Sequence, residues 1–109
     1  MSFTLEQLYL NGDPKYPTIK AVVDAKGRWW HYSEKDQRIS IGKLIREPQT
    51  VEASNELLER CRKRTGLATI TWYSWGRDVI EIPATEIDRI DDVRAAYKAE
   101  GYPIEVIRY

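Results

Sequence analysis

The sequence predicts a two-layer α+β sandwich, a mostly antiparallel sheet with two helices on one face, in the order short α-βββ-α-ββ-α-β. Three observations carry that expectation. Residues 51–64 and 85–100 repeat apolar side chains at helical spacing, several shorter runs alternate polar with apolar, and Gly- or Pro-bearing turns separate them. A single domain over residues 1–109 holds all of it, because a chain of this length buries roughly two thirds of its unfolded surface without disulfides or metal.

The elements follow in chain order. Thr4-Leu5-Glu6-Gln7 has the form of a capping box for a short helix, ended by Asn11-Gly12. Thr18 to Asp24 alternates, with Ile19, Ala21 and Val23 on one face, and predicts a strand. Ala25-Lys26-Gly27 supplies the turn into Arg28-Trp29-Trp30-His31-Tyr32, whose aromatics favour a second strand. Arg38 to Ile41 alternates as a third, and Pro48 stops it.

Thr50 is placed to cap a helix over Val51–Arg64, with Gly66 just past its end. Val51, Ser54, Leu57, Leu58 and Cys61 share one arc of that helix. Leu67–Trp75 and Asp78–Ile82 then read as a hairpin about a Gly76-Arg77 turn. Thr85, three residues before Asp88, caps a second helix whose Ile87, Ile90, Val93 and Tyr97 face the core, and Gly101 ends it. Pro103–Tyr109 is the last strand, central or at an edge.

Charge excludes some functions and leaves others. The chain carries 17 Lys/Arg and 17 Asp/Glu, so it lacks the basic excess that non-specific duplex binding draws on. The balance is uneven: residues 1–50 and 51–77 each carry +2, and residues 78–109 carry −4. Near-zero net charge also leaves little repulsion between copies, so a homodimer is an expected state. One cysteine rules out an internal disulfide and suits a reducing compartment. No basic leader or long apolar run opens the chain, so cytoplasmic residence without membrane contact is expected.

Catalytic, metal and cofactor machinery is not legible. One histidine, His31, and one cysteine, Cys61, fall short of the Cys/His sets of common zinc sites. Cys61 lies on the apolar arc of its helix, where a thiol acts as a small hydrophobe. No phosphate-cradling glycine loop is present. The basic run Arg60, Arg62, Lys63 and Arg64 could meet an anionic partner, but Glu56 and Glu59 each precede a cation by four residues, which explains the run as a solvated helix face.

The aromatic set is the informative signal. Four Trp and seven Tyr stand against one Phe, and Trp and Tyr favour half-wet surroundings where their polar ends are served. Alternation puts Ile70, Trp72, Ile80 and Ile82 toward the core and Thr69, Thr71, Tyr73, Trp75, Val79 and Glu81 away from it. Adjacent Trp29 and Trp30 must take opposite faces. Trp75, Tyr73, Arg77, Trp30, Arg28 and Tyr32 form the expected partner-binding set, since Trp, Tyr and Arg dominate interface hot spots. The reading is a non-catalytic binding protein, inhibitor-, immunity- or adaptor-like, acting on a protein partner or its own copy. Single-stranded nucleic acid, stacked on the same aromatics, is the alternative; a small enzyme using carboxylates and arginines is the second.

Overall fold

A computed structural model describes residues 4–9, 18–33, 35–73 and 76–106. Its strands are β1 (Thr4–Tyr9), β2 (Thr18–Val23), β3 (Trp29–Ser33), β4 (Arg38–Leu44), β5 (Thr71–Tyr73), β6 (Gly76–Pro83) and β7 (Ile104–Glu105). The helices are α1 (Val51–Thr65) and α2 (Ile90–Ala99), the second entered through a 3-10 turn over Ala84–Arg89. All pairings are antiparallel, in the order β1-β2-β3-β4-β6-β5, and β7 also pairs with β4. The fold is the expected α+β arrangement of a mostly antiparallel sheet and two helices.

β4 is the hub. Its first half pairs with β3 through Ser33↔Arg38 to His31↔Ser40, and its second half pairs with β7 through Lys43↔Glu105 and Leu44↔Ile104. The opposite edge runs along β6. Both crossover helices start from this region, α1 linking β4 to β5 and α2 linking β6 to β7. The inward residues Ile39 and Ile41 of β4 and Ile80 and Ile82 of β6 join Val22 and Trp30. Leu57, Leu58 and Cys61 of α1 and Ile90, Val93 and Tyr97 of α2 close over them in one core, so both helices lie on the same face.

Local chemistry sets the α1 boundaries. The Thr50 side chain accepts from the Ala53 amide, and Gly66 at φ 71° returns its amide to the Arg62 carbonyl. Val51 departs from the expected arc and is 51% exposed. It occupies the first helical position, one turn before Ser54, the earliest buried residue of α1.

Four other expectations are corrected. Residues 4–9 form a strand, not a short helix. A helix of that length is unstable by itself, whereas the segment gains a ladder with β2 from Thr4↔Val23 to Tyr9↔Thr18. The second hairpin turns earlier than expected, because Gly76 pairs with Tyr73 and Arg77 is a strand residue. Residues 67–70 stay outside the strand. Thr85 caps nothing: the chain enters α2 through the 3-10 turn, in which Glu86 is non-helical. The last strand is short, Ile104–Glu105, and residues 107–109 of the expected segment lie outside the described residues.

Gly42 marks a break in the β4–β6 register, with φ 140°. A Cβ there would collide with the Glu105 carbonyl oxygen and the Ile104 side chain. The glycine is what lets β7 approach β4. Gly42→Ala is expected to destabilise the fold by about 2 kcal/mol or more, from backbone strain added to overpacking. Urea unfolding measures it, and a loss under about 0.5 kcal/mol would contradict the close approach. Leu58→Ala, at a core position of α1, is expected to cost about 2–5 kcal/mol in the same assay.

Candidate functional site

With both helices on one face, the other face of the sheet carries its own chemistry. Register aligns Ala21, His31, Ser40, Glu81 and Thr71 in one row across β2, β3, β4, β6 and β5. Directly opposed residues project to the same side with Cβ atoms about 4.5–5.5 Å apart. Trp29, Ser33 and Arg38 share this side by alternation.

Arg38 organises the row. Its Nη2 donates to the Thr69 carbonyl, to Thr71 Oγ1 at 2.8 Å and to the Glu81 carbonyl at 3.1 Å. Its buried Nε has no acceptor among the described residues and lies 4.0 Å from Glu81 Oε1. The Glu81 side chain is nearly enclosed at 8% residue exposure. Burial pushes the Glu81 carboxyl up, and the Arg38 charge and a Ser40 hydroxyl bond pull against it. Burial likewise lowers the Arg38 and His31 values, with Glu81 opposing the shift at Arg38.

This face can offer donors and acceptors at fixed spacing, and Glu81 can hold a proton more readily than an ordinary carboxyl. Register places Ser40 between His31 and Glu81 in this row. Among the described residues, no group of three or more His, Cys, Asp or Glu is placed to hold a metal ion. Burial, aided by Glu100, pushes the Cys61 thiol up to about 12, so it is not a nucleophile at neutral pH. No helix among the described residues is long and apolar enough to cross a membrane.

The expected partner-binding residues are dispersed. Trp30 is corrected outright: it sits opposite Val22 on the helix side, fully buried, and its indole N–H donates to Asp24 Oδ2 at 2.9 Å. Trp29, on the opposite face, is half-buried. Tyr32 lies opposite Ile39 and is packed against the core. Arg28 stacks 5.3 Å over the Trp30 ring. It donates to Asp24 at 2.7 Å and, through both terminal nitrogens, to Asp91 at 3.0 and 3.1 Å. Arg77 donates to the Pro48 and Thr50 carbonyls and to Ser54 Oγ, tying β6 to the start of α1. Among the described members, Tyr73, 39% exposed at the end of edge strand β5, is the one left open. Trp75 lies outside the described residues.

The basic run of α1 is mostly engaged within the protein. Arg60 and Arg64 each meet a Glu100 oxygen at 2.6 Å, clamping α1 to the end of α2. Arg62 forks onto the Ile70 carbonyl at 3.0 and 2.8 Å and also pairs with Glu59. Lys63 is exposed. Sequence reasoning missed Arg38 and Asp24. Asp24 carried a signal, an Asp opening a Lys-Gly turn; Arg38 carried only its place in an alternating strand.

Comparison with protein-family models, curated proteins and solved structures finds no match for this chain.

The Asp24–Arg28–Asp91 lock yields an acid-stability expectation. Burial would raise the Asp24 carboxyl, but donors from Trp30, Arg28 and Lys26 outweigh it and hold it low. Arg28 and Lys26 hold Asp91 at about 2, below its ordinary 3.8. A depressed carboxyl stabilises the fold above its unfolded value and loses that contribution as pH falls through the folded one. Thermal melts between pH 4 and 2 should show a fall in stability that is shallower in Asp91→Asn. Parallel falls in the two proteins would contradict the lock.

Proposed function

We propose that this chain is a non-catalytic binding protein that meets a protein partner, or its own copy, through the sheet face opposite α1 and α2 and through β5 and β6. The supporting observation is the Arg38 latch. It joins residues before and within β5 to β6, so that end of the polar row is tied together before any partner arrives. Preorganisation of this kind lowers the ordering cost of association. Tyr73 adds an open aromatic at the edge of that face, a residue type that anchors interfaces. Inhibitors, immunity proteins and adaptors act by such complementarity of shape and charge.

One observation favours a second reading, a small enzyme. Glu81 is an enclosed carboxyl beside an arginine and a serine, the setting in which a general acid is tuned upward. Single-stranded nucleic acid has less support, since Trp30 and Tyr32 face the helices and Arg28 and Arg77 are engaged by protein acceptors.

The test compares wild type with Tyr73→Ala in sedimentation velocity and in capture from host lysate, with and without nuclease. Tyr73→Ala is expected to weaken association by about 1–2 kcal/mol and to leave the melting temperature within error. Association unchanged in Tyr73→Ala but lost in Lys63→Glu, at an exposed position of α1, would move the contact surface to that helix. A complex released by nuclease or salt would favour nucleic acid. Turnover abolished by Glu81→Gln in a correctly folded protein would establish the enzyme.

A further inference from the structure

A second feature lies beside the helix layer, away from the polar row. Where α2 passes β7, Asp91, Arg94, Ala95 and Lys98 face Pro103 and Ile104 across a cleft of about 360 Å³. That size is at the lower end for small-molecule pockets. Ala95, Pro103 and Ile104 supply apolar lining. Arg94 and Lys98, four residues apart, stand on the same side of the helix.

The nearby carboxylate is already taken. Lys26 Nζ lies 2.7 Å from Asp91, and Arg28 donates to both of its oxygens at 3.0 and 3.1 Å. Arg94 reaches Asp91 only at 3.7 Å, and the buried Nε of Arg94 has no acceptor among the described residues. Lys26, Arg28, Arg94 and Lys98 thus stand against Asp24 and Asp91, a local positive excess in a chain of zero net charge.

We propose that this cleft binds a small aliphatic carboxylate. Its charged end is taken by Arg94 and Lys98, and its hydrocarbon end lies on Ala95, Pro103 and Ile104. A carboxylate suits the pair because charge-assisted bonds to arginine are the strong ones. The apolar lining selects an organic anion over a hydrated inorganic one. Asp91, itself part of the lining but partly neutralised by Lys26 and Arg28, opposes an extended polyanion by repulsion.

The test is an NMR titration of isotope-labelled full-length protein with hexanoate, hexanamide and inorganic phosphate. Hexanoate is expected to shift the amides of residues 91–98 and 103–104 saturably. Hexanamide and phosphate should bind the same place at least about tenfold more weakly. Arg94→Gln and Lys98→Gln should each weaken hexanoate by about tenfold, with unfolding temperatures unchanged. If Arg94→Gln does not fold, Lys98→Gln carries the comparison. Absence of a saturable shift, an equal response to hexanamide or phosphate, or full affinity in the folded variants would each overturn the proposal.

Discussion

The architecture depends on how β4 is shared. Its Arg38–Ser40 stretch serves β3, and its Lys43–Leu44 stretch serves β7, on the same edge, while β6 occupies the other. Two neighbours fit along one edge because the register breaks at Gly42, where the absent Cβ leaves room for the Glu105 carbonyl and the Ile104 side chain. Once β7 is seated there, α2 must span from β6 to β7 across the inner face. That crossing brings Ile90, Val93 and Tyr97 onto Ile39, Ile41, Ile80 and Ile82.

Charged groups then hold the layers in register. At one end Glu100 receives Arg60 and Arg64, joining the two helices. At the other, Asp24 accepts the Lys26 and Arg28 amides, the Arg28 side chain and the Trp30 indole, and Arg28 carries on to Asp91 of α2. Asp24 is largely buried and saturated with donors, so it specifies the β2–β3 turn more strongly than an exposed ion pair could. Glu100 is more open and works chiefly as a geometric tie.

These ties account for much of the arginine content that composition suggested was available to a partner. Arg28, Arg60, Arg62, Arg64 and Arg77 each donate to acceptors inside the molecule. The face opposite α1 and α2 is organised differently. Arg38 is latched there, yet one of its buried donors and the carboxyl of Glu81 are incompletely matched at 4.0 Å. Imperfect satisfaction of enclosed polar groups is a recurring property of sites that do something besides support the fold.

Local rules were enough for the α1 cap at Thr50, the glycine stop at Gly66, the inward Leu57, Leu58 and Cys61, and the core face of Ile80 and Ile82. Each of these rests on interactions within a few residues or on a single period, so it is legible in the chain alone. The strand at Thr4–Tyr9, the destination of Trp30 and the assembly of His31, Ser40, Glu81, Thr71 and Arg38 into one site were not. A capping-box pattern yields to a ladder that only a partner strand provides, and a tryptophan's face depends on which side the helices cover. The polar row joins positions as far apart as 31 and 81, and it exists because strand order and register bring them opposite one another. Alternation tells which residues share a face of one strand; pairing alone decides which residues share a site.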